Sequence, residues 1–204
     1  MAGVIQLLMK IYGNKNMFLM SHSSMELFKK DKKAWVRKYV YGEEQPSNVW
    51  MNFGKRFAEA MEFRENEHDA DIQNLKFLIP DYQNREYRVE HKEAGRGFIG
   101  ILDGYSEKLI GEYKTGKHWD QNLVDQSSQL TYYAWLIFKR EGFVPDIELT
   151  WVETVTNGRK VSFSGNVKTF KTSRSIGQLD LMEKIAFRLY DQMIITMRDE
   201  VEKI

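Results

Sequence analysis

The segment Gly100-Ile101-Leu102-Asp103-Gly104, followed by Ile110-Gly111-Glu112-Tyr113-Lys114-Thr115-Gly116, contains the most informative pattern in this chain. Both halves show the period-two pattern of strands, and the residues between them are polar enough to form a hairpin loop. A loop at residues 106–109 pairs Tyr105 with Ile110 and sets Asp103 opposite Glu112, with their Cβ atoms about 4.5–5.5 Å apart. Strand alternation then places Lys114 on the same face as Glu112.

Two carboxylates in directly opposed positions destabilise a sheet unless another group compensates their charge. Asp103 and Glu112 at this separation can share a hard divalent cation such as magnesium, which takes oxygen ligands. The neighbouring amine of Lys114 can position or deprotonate a water and stabilise charge that develops on a phosphate. The pattern therefore predicts a site for metal-assisted hydrolysis. The alternative is a solvated surface ion triad, which apolar neighbours such as Leu102 and Ile110 disfavour because they indicate buried strands.

The rest of the chain predicts a single α/β domain with a central mixed sheet flanked by helices. A capping box of Ser23 and Glu26 opens the first predicted helix, and Gly142 ends the third. Helices are predicted at residues 23–41, from 47 or 48 to 68, at 122–140 and at 176–201. Strands are predicted at residues 85–91, 98–103, 108–114, 147–154 and 160–167, with a further short strand between 65 and 81.

Composition narrows the class of protein. The chain has 204 residues, a formal net charge of +1 and no cysteine. Disulfides, thiolate catalysis, zinc fingers and iron–sulfur clusters are therefore excluded. No apolar run approaches the roughly 18 residues of a membrane span, so we expect no membrane partner and a cytoplasmic location, which is the host cytoplasm for a phage-encoded protein. We expect residues 1–20 to be an N-terminal extension and residues 21–204 to form the domain.

Asp103 followed by Glu112-x-Lys114 resembles the core motif of the PD-(D/E)XK nuclease superfamily. The fuller pattern, Gly100-x-x-Asp103 with Glu112-Tyr113-Lys114-Thr115-Gly116, is similar to its RecB-like exonuclease branch. That branch carries a Gln-x-x-x-Tyr motif on the next helix, which Gln129 and Tyr133 match here. The resemblance implies a restriction-endonuclease-like core, with the nuclease domain at residues 21–204.

The resemblance also implies roles for particular residues. Asp103, Glu112 and the carbonyl of Tyr113 are expected to bind magnesium or manganese. The family's Gly-x-x-x-His motif begins at Gly54, but Ala58 stands where the family has its metal-binding histidine. A carboxylate could take its place, and the candidates are Glu59 and Glu62.

Catalysis is expected from Asp103, Glu112 and Lys114. DNA contacts are expected from four residues near the motif, namely Gln129, Tyr133, Lys117 and His118.

The expected function is that of a metal-dependent deoxyribonuclease. The resemblance favours an exonuclease acting in recombination, repair or phage DNA processing, with DNA as partner and a homo-oligomer or a helicase as further partners. Two alternatives stay open. One is a DNA-binding or assembly subunit of the same fold that has lost its chemistry, which Ala58 motivates. The other is a structure-specific or restriction-type endonuclease.

Overall fold

A six-stranded mixed sheet lies at the centre of the computed structural model, which describes residues 17–44, 46–63, 70–116, 118–158 and 160–203. The strands are β1 (Leu19–Ser21), β2 (Asn84–Glu93), β3 (Arg96–Ser106), β4 (Leu109–Gly116), β5 (Asp146–Asn157) and β6 (Lys160–Thr172). The helices are α1 (His22–Lys30), α2 (Lys32–Tyr39), α3 (Val49–Phe63), α4 (Ala70–Leu75), α5 (Gln121–Asp125), α6 (Ser128–Glu141) and α7 (Ile176–Val201). The predicted single α/β domain with a mixed sheet is confirmed.

The strand order is β1-β3-β4-β5-β6, and β2 pairs with β3 as well. The pairs β1–β3 and β4–β5 are parallel, whereas β2–β3, β3–β4 and β5–β6 are antiparallel. Helices cover both faces of the sheet. Ile110 belongs to the apolar core shared with α1, α2, α6 and α7, whereas Tyr113, on the opposite face of β4, packs in a second core with α3 and α4.

Tyr82 explains two of the glycines around the central hairpin. A Cβ on Gly104 would lie 2.0 Å from the Tyr82 ring, and a Cβ on Gly111 would lie 2.1 Å from it. The two glycines are paired across β3 and β4, so together they form a flat floor for the ring. The Tyr82 hydroxyl donates a hydrogen bond of 3.1 Å to Oε1 of Glu148 on β5. The ring therefore fixes the loop that precedes β2 against three strands.

The first predicted helix is in fact two helices. The Asp31 side chain accepts a hydrogen bond from the backbone N–H of Ala34 and caps α2, so the chain turns between α1 and α2. The predicted capping box of Ser23 and Glu26 is wrong as well. Ser21 caps α1, because its hydroxyl accepts from the N–H of Ser24.

The helices that follow depart from the prediction in two places. Asn48 caps α3 by accepting from the N–H of Met51, which confirms the predicted start, while the predicted end at residue 68 lies outside the described residues. The strand expected between residues 65 and 81 is wrong for the described part, where α4 is helical. The helix predicted at 122–140 is divided because Ser127 starts a new helix by accepting from the N–H of Leu130.

The five predicted strands are all present, and each is longer than predicted. The boundary between residues 20 and 21 stays a prediction, although structured residues lie directly before it. Leu19–Ser21 forms β1, and Phe18 and Met20 are buried in the main core. In the part of the chain that is described, no helix has the length and hydropathy needed to cross a membrane.

Candidate active site

The strands β3 and β4 separate at the position of the two predicted carboxylates. Their ladder runs from the Ser106–Leu109 pair to the Gly104–Gly111 pair, so the next residues in register are Asp103 and Glu112. At that point the backbone N–H of Tyr113 donates to Oδ2 of Asp103 at 2.7 Å. The predicted hairpin register is confirmed. Where the strands separate, the Asp103 carboxylate accepts a hydrogen bond from the backbone of β4 in place of a backbone carbonyl of β3.

A cavity of about 310 Å³ opens at this separation. It is lined by α3 on one side, by β2, β3 and β4 at the base, and by α6 on the other side. Its polar lining includes Asp103, Glu112 and Lys114, which the sequence predicts to lie together, and the Nζ of Lys114 is 2.5 Å from Oε1 of Glu112. The three predicted catalytic side chains thus share one concave site.

Burial governs the electrostatics of this group. The pKa of Glu112 is raised to about 8, mainly by burial and next by the neighbouring charge of Asp103, while Lys114 acts in the opposite direction. Burial also raises the pKa of Asp103 against the effects of Lys114 and of the Tyr113 N–H. Burial alone would lower the pKa of Lys114, but the charges of Glu112 and Asp103 outweigh it and the pKa is raised. Lys114 is therefore an ammonium at neutral pH.

One oxygen of Glu112 lacks a partner. Glu112 is 2% exposed, and its Oε2 is buried without a hydrogen-bond partner among the residues that the structure describes. A buried carboxylate oxygen in this state is costly unless a cation or a proton compensates it. The donor set of Asp103 and Glu112 fits a hard divalent cation. Magnesium is commonly held by one or two carboxylates, with waters and substrate phosphates as its remaining ligands.

Gln129 and Tyr133, predicted to share one face of a helix, both lie on α6 and line the cavity. The Nε2 of Gln129 donates to Oε1 of Glu112 at 2.8 Å and to the Tyr133 hydroxyl at 3.0 Å. Gly100 permits this packing, since a Cβ there would lie 3.1 Å from the Tyr133 ring and 2.9 Å from Leu136. The Glu112-x-Lys114 motif and the Gln129-x-x-x-Tyr133 motif are therefore in direct contact through Glu112.

The face contributed by α3 separates the two candidates for a third carboxylate. Ala58 and Glu62 both line the cavity, one turn apart. Glu59 is exposed and is not among the lining residues. Within the described ranges, no three acidic or histidine side chains are grouped as a complete metal site.

Glu86 is a lining residue that the sequence reading missed. It lies on β2 between Arg85 and Tyr87, which pair with Gly104 and Leu102, so it sits across from Asp103. Its φ is +47°, an uncommon conformation for a residue with a side chain. The pKa of Glu86 is raised to about 7, mainly by burial and in addition by the charges of Asp103 and Glu62.

A sequence signal for Glu86 exists in the turn that follows β2. Ala94 and Gly95 both have positive φ and form a two-residue turn in which Glu93 pairs with Arg96. Counting back from that turn places Glu86 opposite Asp103.

Of the last two predicted DNA contacts, the structure describes only His118, and this residue does not line the cavity. Lys117 lies outside the described residues. His118 is exposed, and its ring makes an edge contact with Trp151 at a centroid distance of 5.0 Å.

A search of protein-family models finds no match to the chain, and a search of curated proteins finds none either. Solved structures do resemble it. A candidate exonuclease from Eubacterium rectale has a TM-score of 0.58 at 9% identity, over 90% of this chain and 82% of that chain. A phage-related exonuclease from Haemophilus somnus 129PT has a TM-score of 0.50 at 16% identity, over 90% of this chain and 98% of that chain. The chain therefore has a fold that is shared with structures described as exonucleases.

Proposed function

We propose that this chain is a metal-dependent DNA nuclease that acts as an exonuclease and hydrolyses phosphodiester bonds. The observation that carries the proposal is the buried, unpartnered Oε2 of Glu112, in a cavity that also holds Asp103 and Lys114. The resemblance to the RecB-like branch of the PD-(D/E)XK superfamily supports it, and the fold shared with exonuclease structures is consistent with it. Recombination, repair and phage DNA processing are the settings that we propose.

The residues that would hold a magnesium or manganese ion are Asp103 and Glu112, with the Tyr113 carbonyl and Glu62 as further ligands. Such an ion would polarise the phosphate and lower the pKa of a bound water. Glu62 is preferred to Glu59 because it lines the cavity. Carboxylate and carbonyl oxygens favour hard cations over softer metals.

Lys114 is suited to stabilise the negative charge that develops on the phosphate. Its raised pKa keeps it protonated, so it acts as a hydrogen-bond donor rather than as a base. Its side chain is 26% exposed, which leaves it accessible from the open side of the cavity, whereas Glu112 beside it is 2% exposed. Gln129 holds Oε1 of Glu112, so a DNA strand that contacts Gln129 or Tyr133 is positioned by the same network. We propose Lys117 and His118 as further DNA contacts.

The test is a nuclease assay with magnesium or manganese on single-stranded, blunt linear and covalently closed circular DNA. We expect linear DNA to be degraded and circles to survive, because an exonuclease needs an end. Lys114→Ala should lower the rate by at least about 100-fold, the cost of removing one donor to developing charge. Lys139→Ala is the matched control, since Lys139 pairs with Glu93 and Glu183 away from the cavity. Absence of cleavage, or equal cleavage by Lys114→Ala, would overturn the proposal, and cleaved circles would indicate an endonuclease.

A DNA-binding or assembly subunit without chemistry is the second candidate. Ala58 favours it, because this residue lines the cavity at the place where the family has a metal-binding histidine. Salt-dependent DNA binding without measurable magnesium or manganese affinity in calorimetry would select this function. A homo-oligomer or a helicase partner is compatible with either function.

A further inference from the structure

A second concave site adjoins the candidate active site. It has a volume of about 460 Å³ and is lined by Trp50, Thr115, Gly116 and Thr154. Thr115 also lines the active-site cavity and directly follows Lys114 on β4. The two sites therefore adjoin at Thr115, and a molecule bound beside Lys114 can extend into the second site.

Trp50 lies on an exposed part of α3, where a helix usually carries polar residues. It is 44% exposed and lies in the first turn of α3 between Val49, also 44% exposed, and Met51, 52% exposed. Three consecutive exposed apolar residues are unfavourable in water and usually indicate a binding function. An exposed tryptophan offers a flat aromatic face together with one N–H donor.

Gly116 leaves the space beside Trp50 open. A Cβ on Gly116 would lie 3.9 Å from Cε3 of Trp50 and 3.8 Å from Oγ1 of Thr154, so the glycine forms a floor between the two side chains. Its φ of +84° is a conformation that residues with a side chain rarely adopt. Any larger residue would both strain the backbone and occupy the site.

Thr154 supplies a polar group without a partner. Its Oγ1 is buried and has no hydrogen-bond partner within the described part of the chain. Buried hydroxyls are normally satisfied, so an unsatisfied one that lines a cavity indicates a ligand with a polar edge. The site thus combines one aromatic face, one free hydroxyl and a floor without a side chain.

We propose that Trp50 stacks against an unpaired nucleobase of the DNA strand being cut, and that the Thr154 hydroxyl bonds to the polar edge of that base. A nucleobase is flat and has polar atoms on its rim, which matches both groups. Its backbone continues to the phosphate at Lys114 through Thr115. The base must be unpaired, because an interior base of a duplex does not offer its face to an indole and a base whose pairing edge bonds to Thr154 has no partner base there. This inference rests on the proposed nuclease function and adds a single-stranded segment as the substrate class.

The test is a mutant cycle between protein and DNA. The binding of single-stranded oligonucleotides is measured for Lys114→Ala, which keeps the DNA intact, and for Lys114→Ala combined with Trp50→Ala. A single abasic site is moved through the oligonucleotide one nucleotide at a time. At one position we expect base removal to weaken binding by about 5- to 150-fold when Trp50 is present, as for a base stacked on an aromatic side chain. With Trp50→Ala, removal of the same base should have little effect.

Matched variants separate stacking from a general loss of surface. Phe77→Ala removes an aromatic side chain that is 91% exposed and lines neither cavity, so it should leave the abasic profile unchanged. Trp50→Phe should retain part of the effect. Thr154→Val should weaken binding of the intact oligonucleotide but not of the oligonucleotide abasic at that position.

The outcomes distinguish the two proposals. If removal of a base weakens binding equally with Trp50 and with Trp50→Ala at every position, stacking on Trp50 is overturned, whether or not the wild-type protein cuts DNA. Coupling between Trp50 and one base, in a protein that cuts nothing, would support the base site and reject the nuclease function. Failure of every oligonucleotide to bind would overturn the base site, whereas the nuclease function is decided by the cleavage assay with the wild-type protein.

Discussion

Glu112→Gln should change how the stability of the metal-free protein depends on pH. The substitution keeps an acceptor at Oε1 for Lys114 and Gln129 and removes the charge that Oε2 carries without a partner. In the wild-type protein, the pKa of Glu112 rises from an ordinary 4.5 to about 8 on folding. The folded protein therefore binds this proton more tightly than the unfolded chain does.

The sign and the size of the effect follow from that difference. A carboxyl whose pKa is raised on folding contributes its full stability below pH 4.5, and this contribution is lost as the pH rises through 8. At about 1.36 kcal/mol for each pKa unit, the loss between pH 4.5 and pH 8 is at most about 5 kcal/mol. Glu112→Gln has no proton to lose, so its free energy of unfolding should fall much less over the same range.

The assay is urea denaturation between pH 4.5 and pH 8.5, with a chelator and then with magnesium. If the carboxylates bind the ion, magnesium should raise the stability of the wild-type protein at pH 8 by about 3 kcal/mol at a hundredfold excess over Kd, and should not stabilise Glu112→Gln. Glu148→Gln is the control, because Glu148 is a buried carboxylate that bonds to Tyr82 and does not line the cavity. It should keep the magnesium effect. Parallel pH profiles for wild type and Glu112→Gln would show that Glu112 does not bind its proton more tightly in the folded protein.

Three further predictions concern the surroundings of the site. Gly111→Ala should lower the free energy of unfolding by about 3 kcal/mol or prevent folding, since its Cβ would lie 2.1 Å from the buried Tyr82 ring; a urea midpoint equal to that of wild type would contradict this packing. Burial lowers the pKa of His22 to about 4, so the free energy of unfolding of the wild-type protein should fall by up to about 3 kcal/mol as the pH falls from 6.5 to 4. His22→Gln should not show this fall, and identical acid denaturation profiles for the two proteins would contradict a buried, neutral His22. Gln129→Ala removes the donor to Glu112 and should reduce kcat by about 10- to 100-fold, the range for loss of a group that orients a metal ligand, and unchanged steady-state kinetics would argue against a positioning role.

The central hairpin was predictable from sequence because its geometry is local. A two-residue turn at Glu107 and Lys108 sets the register, and period-two alternation then assigns Glu112 and Lys114 to one face. The spacing of Gln129 and Tyr133 on a helix is equally local. What the sequence did not show is that α6 packs against β4 so that Gln129 bonds to Glu112.

The errors have physical causes of two kinds. The break between α1 and α2 depends on the single Asp31 side chain, whose capping bond outweighs an otherwise continuous helical pattern. Glu86 was missed because its role depends on the pairing of β2 with β3, which a pattern within one strand does not reveal. Its exposed neighbour Arg85 forms an ion pair with Asp81. The charged residues around Glu86 therefore look like those of any solvent-exposed strand.

The two-residue turn between β3 and β4 restricts how the length of this chain can change. Adding or deleting one residue there would shift the register and move every following side chain to the opposite face, taking Glu112 and Lys114 away from Asp103. Length variation at this hairpin is therefore expected to be selected against in natural homologues. The far end of the β5–β6 hairpin, where Val155 and Asn157 are exposed, is the better place for an inserted tag or a fused domain.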